Sequence, residues 1–527
     1  MKMIGDSIKN QIYSVFRQTI QYCQDSKLAT FSIFFFIFSS VLIIHNLHLF
    51  TRVIFENGDY AANSILINLA KNFQLFVGNY SRMGFHHPGP AFLYIQAFFE
   101  VLLFDSFHLV PTPVNSHIIS IIFLNSFLLA ISCYILLDIL KSFSKVLPII
   151  ALLLFYFSIN PVFLNWIWMP DAYFIPFFTF ILSASVTPKK PFFIWSMILT
   201  GGILIHGHVS FILITVPVMV VSFILCLSNY QYNIKAFIND NRSIILVSLS
   251  LILLLSLPIL INTIINYPGE FGKYLQYSSN RIQQTPDIKS IFIFFISFWS
   301  VGSISSINIY NNLIYFLFVI IIVVTIFYFQ KDYEVKIFFK NFIIISITVS
   351  FTFLIYIAKG IDNLIQSNHY TGLFFYAIPL IYLVMILIGL IVLVPNNKSA
   401  YLLIFAIIIS GFFASSGNLT NTYNGSPFIK DIIFKLQSDP RWNNETIVLD
   451  FPHDAWPEVA ALVIALERQG KPSYLSNPYW EFMFTKKHIL IDKQDISKEW
   501  HIHIETLPGN FSNVIYSNAQ ITLIDKK

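Results

Sequence analysis

Charged residues are scarce in this chain. Asp, Glu, Lys and Arg make up 11% of its 527 residues, whereas 56% are hydrophobic. Because a soluble protein has about a quarter of its residues charged, this composition excludes a soluble globular protein. The net charge of +5 does not indicate a nucleic-acid partner either, since the basic residues lie in short loops between apolar runs.

Cysteine is also scarce, and several familiar motifs are missing. Cys23, Cys133 and Cys226 are too scattered to predict a disulfide framework or a zinc site. The sequence contains no Walker-type phosphate loop, no GxGxxG and no internal repeat, so no nucleotide-binding fold is expected. No spacing of residues matches a metal-ligand set. The cofactor is therefore unknown, with a divalent cation left open.

The sequence is rich in apolar runs of about 17–25 residues, the length that crosses a hydrocarbon layer of ~30 Å. They predict a polytopic α-helical membrane protein of about 11 spans, with a range of about 11–13. The predicted spans are 28–50, 117–137, 146–160, 172–187, 191–206, 209–227, 244–265, 311–330, 341–358, 372–394 and 400–415.

Two apolar segments, 88–104 and 290–307, are expected to lie along the membrane surface as interfacial helices. The first runs into Glu100, and carrying this carboxylate to the bilayer centre would cost roughly 2.5 kcal/mol or more. The second becomes polar in its second half. Whether either segment spans the membrane instead is left open.

The distribution of Lys and Arg predicts the orientation. With the N-terminus inside, the inner segments carry more basic residues than the outer loops, which is the positive-inside pattern. The histidines then all lie at or beyond the outer ends of the spans. The sequence thus predicts an integral membrane protein with its chemistry-capable side chains on the outer face.

The chain divides by composition into two parts. Residues 1–416 form the predicted transmembrane module, with outer loop one at 51–116, and residues 417–527 form a small α/β domain outside the membrane. In this tail "TIVLDF", "HILID" and "ITLID" are typical of strands. "DAWPEVAALVIALERQG" is typical of a helix, since Pro457 lies in its first turn and Gly470 follows its end. A βαβ-like unit is expected.

Loop one contains the first candidate catalytic group. In "ENGDYAANS" (56–64), Asp59 follows the first span directly and Glu56 precedes it by three residues. A carboxylate at the membrane boundary can act as a general base for a hydroxyl. An acid after Gly is equally typical of a helix cap, so both interpretations stay open.

A second stretch of loop one, "YSRMGFHHPGP" (80–90), adds basic and aromatic groups. Arg82 offers a donor fork suited to phosphate, and His86 and His87 can donate to an anion, move protons or bind a metal. The prolines around Gly89 predict a turn that starts a helix. Interfacial anchoring by Tyr, Arg and His is the alternative.

Other candidates lie in later outer loops. Asp171 opens the fourth span in "WIWMPDAYF", where it is a functional acid or a helix cap. His206 and His208 flank a tight turn, and His369 and Tyr370 precede the tenth span. Each of these has a plain alternative in interfacial solvation or capping.

The arrangement resembles the GT-C superfamily of integral-membrane glycosyltransferases, in particular the bacterial protein mannosyltransferase and lipid A aminoarabinose transferase group. The resemblance depends on Asp59, on "HHPGPAFLY" (86–94), on Asp171 and on the multi-span layout with an outer domain. The sequence departs from the family pattern, which often has paired acids "DE" in loop one and HPP where this chain has HPGP.

The resemblance implies transfer of a sugar from a polyprenyl-phosphate donor to a glycan, lipid or protein acceptor on the outer face of the membrane. Asp59 would be the base of an inverting displacement, and basic groups of loop one would offset charge on the leaving phosphate. The candidate catalytic residues are Asp59, His87 and Asp171. The candidate substrate-binding residues are Glu56, Tyr80, Arg82, His86, His206, His208, His369 and Tyr370.

Three other functions compete with this interpretation. A transporter or flippase for a lipid-linked saccharide would place charged or helix-breaking residues deep within spans, whereas here the charges gather in outer loops. A polysaccharide polymerase or ligase would carry its large outer loop late in the chain. A scaffold whose tail binds a partner is compatible with the sequence.

Overall fold

The computed structural model of the protein describes residues 26–280, 286–300, 308–360, 369–393, 398–490, 498–506 and 511–526. Most of these residues are helical. In the transmembrane part the helices are α1 (Lys27–His45), α2 (Gly58–Lys71), α3 (Ala91–Phe99), α4 (Pro113–Leu140), α5 (Phe143–Ile159), α6 (Val162–Asn165), α7 (Met169–Ala172), α8 (Phe174–Val186), α9 (Ile194–Gly207), α10 (Phe211–Asn229), α11 (Ile234–Asp240), α12 (Arg242–Ile265), α13 (Gly269–Asn280), α14 (Ile288–Ser297), α15 (Ile309–Phe329), α16 (Tyr333–Gly360), α17 (Ala377–Leu393) and α18 (Lys398–Ser415).

The predicted spans are confirmed as helices. Within the described ranges nine helical segments are long and apolar enough to cross a membrane, and Phe143–Ile159 and Pro191–Gly207 are apolar but shorter. Together they match the eleven predicted spans, so the polytopic helical architecture is confirmed. The first helix ends at His45 rather than at 50, because Asn46 turns out of the helix and donates a hydrogen bond to the Leu419 carbonyl at 2.9 Å.

The helices differ greatly in burial. The segment Met169–Val186, made of α7 and α8, is almost fully covered by neighbouring helices, whereas α12 has very few buried residues. Exposed apolar helices of this length are stable where lipid replaces water. The fold therefore has a helical core around α8 and a rim of lipid-facing helices.

Neither segment that was expected to lie along the membrane surface forms a long helix of its own. The second contains α14, which has ten residues, while 301–307 lie outside the described residues. The first contains α3, which is nine residues long and continues into a π-helical turn at Glu100–Ser106.

Glu100 is buried inside the protein by an ion network. It accepts hydrogen bonds from Lys71 at 2.8 Å and from His117 at 2.7 Å, and Lys71 also pairs with Asp105 at 2.6 Å. Burial by itself raises the pKa of Glu100, but these contacts outweigh it and lower the pKa to about 2. The network holds α3 between α2 and α4. It therefore fixes the position of this part of loop one.

The C-terminal sheet unit comprises α19 to α21 and β3 to β7. Its elements are α19 (Ile429–Gln437), β3 (Thr446–Asp450), α20 (Trp456–Arg468), β4 (Ser473–Leu475), α21 (Glu481–Phe484), β5 (Glu499–Glu505), β6 (Val514–Ser517) and β7 (Thr522–Asp525). The strand order is β4-β3-β5-β7-β6, with β3 parallel to both neighbours and the last two pairings antiparallel. The predicted βαβ unit is present as β3-α20-β4. "HILID" contributes only a single bridge at Ile489, and its last two residues lie outside the described ranges.

This unit docks on α2 through a shared core and an ion pair. Small side chains of α2 pack against α20, and both belong to one cluster of buried residues, which includes Ala61, Ala62, Ile65, Val459, Ala460 and Val463. At one end of this contact Arg468 donates through both terminal nitrogens to the carboxylate of Glu56. Glu56 also accepts from Ser64 at 2.9 Å and is 8% exposed. The docking joins the C-terminal sheet unit to loop one.

We expect Arg468→Met to lower the free energy of unfolding by roughly 2–4 kcal/mol, because it leaves the buried Glu56 carboxylate without its cation. The loss is less than for a fully buried pair, since the Arg468 side chain keeps 25% of its surface exposed. Thermal unfolding in detergent, followed by tryptophan fluorescence, measures it.

Two control variants make this test specific. Arg52→Met removes an exposed guanidinium that donates to Asn424 Oδ1 at 2.9 Å, and should change stability by about 0.5 kcal/mol or less. The double variant Glu56→Leu, Arg468→Met removes both charges and should recover most of the loss. Equal unfolding midpoints for Arg468→Met and Arg52→Met would contradict the proposed contribution of the Arg468–Glu56 ion pair to stability.

Candidate active site

The carboxylate of Asp59 is held at the start of α2. The helix begins at Gly58, whose φ of +54° suits glycine, and Asn57 rather than Asp59 occupies the N-cap position. Asp59 Oδ1 accepts a hydrogen bond from the Tyr80 hydroxyl, and Oδ2 accepts one from Trp168 Nε1 at 2.9 Å. The side chain is 31% exposed. These contacts direct the Asp59 carboxylate toward Tyr80 and Trp168, so the side chain does not cap its own helix.

Tyr80 and Arg82 are positioned by a short hairpin at 80–86, which we call the loop-one hairpin. Strands β1 (Tyr80–Ser81) and β2 (Phe85–His86) pair antiparallel. The turn closes with a hydrogen bond from the Gly84 amide to the Ser81 carbonyl at 3.1 Å, and Gly84 has a φ of +80°. Glycine takes this left-handed conformation without steric cost, so the turn projects Arg82 at its tip.

The hairpin side chains Tyr80 and Arg82 place polar groups beside Asp59. Burial first, and then the charge of Asp59, raise the pKa of Tyr80, so its hydroxyl keeps its proton and can donate. The Arg82 guanidinium lies 4.0 Å from Asp59 Oδ1, stacks 5.2 Å above the Trp456 ring and is 66% exposed. It can therefore reach a ligand placed beside Asp59.

Asp171 lies near this site at a deeper level. It is only 5% exposed. Burial raises the pKa of Tyr60, and the charges of Tyr423, Asp171 and Asp59 raise it further. Tyr60 is thus within electrostatic range of both predicted acids, and the short segment 166–171 brings Trp168 and Asp171 to the same region.

The two adjacent histidines face different directions, as successive residues of extended chain do. The amide of His86 donates to Glu270 Oε2 at 2.7 Å, and its ring nitrogen Nδ1 lies 3.8 Å from Glu270 Oε1. His87 is buried, accepts from the Val209 amide at 3.4 Å and lies 4.2 Å from the His208 ring. Burial, and then the neighbouring histidines, lower the pKa of His87 well below its usual value. It is a neutral imidazole at pH 7.

His206 and His208 form hydrogen bonds within the protein. His206 donates through Nε2 to the Leu255 carbonyl at 2.7 Å and accepts through Nδ1 from the Ala91 amide at 3.3 Å, so it secures the start of α3. A side chain at Gly89 would collide with this ring, which explains why the turn has HPGP rather than HPP. His208 bonds to Ser210 Oγ at 2.6 Å.

The remaining predicted residues either hold the C-terminal sheet unit in place or lie at the edge of the site. Both oxygens of Glu56 are occupied by Arg468. His369 stacks on Phe298 with 4.4 Å between ring centres. Tyr370 is 44% exposed, and its ring centre lies 5.6 Å from that of Trp168, which in turn donates to Asp59. The structure therefore brings Asp59, Tyr80 and Arg82 together, whereas His206, His208 and His369 form hydrogen bonds and ring contacts elsewhere in the protein.

A groove of about 520 Å³ opens beside Arg82, between the loop-one hairpin, α13 and the C-terminal sheet unit. We call it the hairpin groove. Its lining includes Arg82, His86, Lys273, Tyr479, Glu481 and Phe482. Sequence reasoning identified only the first two, because the other four lie about two hundred to four hundred positions away along the chain and carry no motif. Trp168 and Glu270 were missed for the same reason, since they lie 109 and 184 positions from their partners Asp59 and His86.

The residues described give no support for an all-protein metal site. Among them, no group of three or more His, Cys, Asp or Glu side chains is arranged to hold a cation. Both oxygens of Asp59 are already bonded by protein donors. The described side chains therefore do not make a preformed metal site.

Comparison with known proteins supports the architecture through structure alone. No protein-family model matches the sequence, and no curated protein matches it. The solved structure of ArnT from Cupriavidus metallidurans, bound to undecaprenyl phosphate, aligns over 92% of this chain and 96% of its own length, with a TM-score of 0.53 and 11% identity. The apo oligosaccharyltransferase of Archaeoglobus fulgidus aligns over 91% of this chain and 69% of its own length at 10% identity, but its TM-score of 0.38 carries no structural argument.

At 11% identity the ArnT likeness concerns the fold and not the chemistry. It agrees with the sequence resemblance and with the helix order and the C-terminal sheet unit described above. The chain therefore has the fold of the ArnT structure, a polytopic helical membrane module with a small C-terminal sheet unit.

Proposed function

We propose that this protein transfers a sugar from a polyprenyl-phosphate donor to an acceptor at the outer face of the cytoplasmic membrane. The observation that carries the proposal is the Asp59 carboxylate, which is held by Tyr80 and Trp168 and stands beside an exposed guanidinium at the mouth of a groove. The fold shared with ArnT supports the reaction class. The ArnT structure is bound to undecaprenyl phosphate, which motivates a polyprenyl phosphate as the carrier here.

Asp59 would act as the general base. As the acceptor oxygen forms its bond to the anomeric carbon, the hydroxyl proton passes to Asp59, and the bond from that carbon to the phosphate oxygen breaks. The electron pair leaves with the polyprenyl phosphate, and a single displacement inverts the anomeric centre. The Tyr80 and Trp168 donors keep the carboxylate in one orientation for this step.

Arg82 would stabilise the departing phosphate. Negative charge grows on the leaving oxygen in the transition state, and a guanidinium can bind it through two parallel hydrogen bonds. Arg82 is 66% exposed and already lies 4.0 Å from Asp59. A small rotation of its side chain therefore brings the guanidinium within reach of a phosphate bound beside Asp59. His87 is neutral and buried, which makes Arg82 the better source of positive charge.

Replacing Asp59 by Asn should abolish sugar transfer, because an amide cannot accept the hydroxyl proton. We expect a loss of about 10³-fold or more in kcat, in line with removal of a general base. Consumption of radiolabelled polyprenyl-linked sugar in membranes measures it.

Asp240→Asn is the matched control, because Asp240 is exposed at the end of α11, far along the chain from the hairpin. It should retain wild-type turnover. Equal activity of the Asp59→Asn and Asp240→Asn variants would remove Asp59 from the mechanism.

Replacing Tyr80 by Phe removes one of the two donors to Asp59 while keeping the ring. A hydrogen bond to a charged group contributes about 1.5–3 kcal/mol, so kcat should fall roughly tenfold or more. KM should change little, since Tyr80 is buried and does not line the groove. Tyr232→Phe, at an exposed tyrosine, is the control; a raised KM with unchanged kcat would argue against the role of Tyr80.

The proposed orientation predicts opposite labelling of two engineered cysteines. In a cysteine-free background, Ser81→Cys in the loop-one hairpin should react with a membrane-impermeant maleimide added to intact cells. Ser142→Cys, between α4 and α5, should react only after the membrane is opened. Labelling of both from the same side would contradict the topology.

A further inference from the structure

The hairpin groove has one wall that the proposed reaction does not use. This wall is the segment 479–482 of the C-terminal sheet unit. Its centre, Trp480, is 3% exposed and stacks on Phe451 with 5.2 Å between ring centres. Because Trp480 anchors the segment, its neighbours Tyr479, Glu481 and Phe482 are left to line the groove.

Aromatic surface dominates this wall. Tyr479 is 58% exposed, so its ring is available to a ligand in the groove. The Phe482 ring lies 6.1 Å from the ring of Tyr80, the donor to Asp59. The wall is therefore directly adjacent to the candidate base. A pyranose presents one face of weakly positive C–H groups, which the negative face of an aromatic ring attracts.

The polar groups of the groove are balanced in charge. Arg82 and Lys273 supply two cations, and Glu481 supplies a carboxylate in the lining. Asp59 lies 4.0 Å from Arg82, and Glu270 accepts a hydrogen bond from Lys273 at 2.9 Å. Lys273 thus faces a carboxylate of the protein itself, and in the proposed reaction Arg82 is engaged by the departing phosphate, so these two cations leave no free positive charge for an anionic acceptor. These groups still offer several hydrogen-bond donors and acceptors for hydroxyls.

We propose that the hairpin groove binds the acceptor, and that this acceptor is an uncharged glycan. The inference rests on the proposed sugar transfer and specifies its acceptor. The acceptor's terminal sugar would stack on Tyr479 and Phe482, with its hydroxyls bonded to Glu481 and Lys273. One hydroxyl would then point past Arg82 to Asp59. The volume of about 520 Å³ is within the roughly 300–1,000 Å³ of small-ligand sites.

The lining argues against the other two acceptor classes. A lipid acceptor would require a mainly apolar lining, whereas this groove is lined by the charged side chains of Arg82, Lys273 and Glu481. A peptide is usually held by backbone pairing along a strand edge or by a helix-binding groove. The strand that borders the hairpin groove, β2, is only two residues long, and the backbone amide and carbonyl of His86 are already bonded to Glu270 and Tyr274.

Binding of a simple disaccharide to the full-length protein tests the proposal. The protein is placed in lipid nanodiscs, because maltoside detergents present the same chemistry as the probe. Cellobiose is titrated and its binding followed by saturation-transfer NMR. We expect saturable binding with a Kd of roughly 1–10 mM, and a disaccharide of the same linkage that carries a uronic acid should bind no tighter.

Variants locate the site. Tyr479→Ala should weaken cellobiose binding at least threefold, while Tyr232→Ala, at another exposed tyrosine, should leave it unchanged. Absence of saturable binding, tighter binding of the uronic acid, or equal affinity of the Tyr479→Ala variant would each overturn the proposal.

The same measurement separates this inference from the proposed reaction. Asp59→Asn should bind cellobiose like the wild type, because binding does not require the base. Loss of turnover in this variant with no disaccharide binding to the wild type would leave sugar transfer standing and remove the glycan groove. If disaccharide binding depends on Tyr479 but Asp59→Asn does not change turnover, the glycan groove is supported and Asp59 is not the base.

Discussion

The contact between Arg468 and Glu56 connects the two parts of the molecule. Glu56 stands two residues before α2, and Asp59 lies in the first turn of that helix. By bonding both oxygens of Glu56, Arg468 fixes the C-terminal sheet unit on the start of α2. The segment carrying Tyr479 is thereby placed opposite the loop-one hairpin. Without this docking, the hairpin groove would lose one of its walls.

The candidate site is an assembly of segments that are distant in sequence. Asp59 comes from α2, Tyr80 and Arg82 from the hairpin, and Trp168 from the turn before α7. Each group is oriented by a different packing contact. Preorganisation of this kind lowers the reorganisation needed when charge develops during reaction, which is why a donor such as Tyr80 can matter for rate without touching substrate.

The transmembrane helices could be predicted from the sequence because hydrophobic length is a local property. Asp59 and Arg82 could be found as well, since they interrupt an otherwise apolar chain. The partners Trp168 and Glu270 could not be found, because a pairing across one or two hundred residues leaves no local pattern. The role of Glu56 was also hidden: its cation, Arg468, lies 412 positions away in the last part of the chain.

Hydrogen–deuterium exchange of the Arg468→Met variant, combined with its turnover, tests most directly whether docking orders the site. The backbone amides of the first turns of α2 should exchange faster than in the wild type, and sugar transfer should fall in parallel at temperatures well below unfolding. Faster exchange confined to α20, with unchanged exchange in α2 and unchanged turnover, would contradict the account.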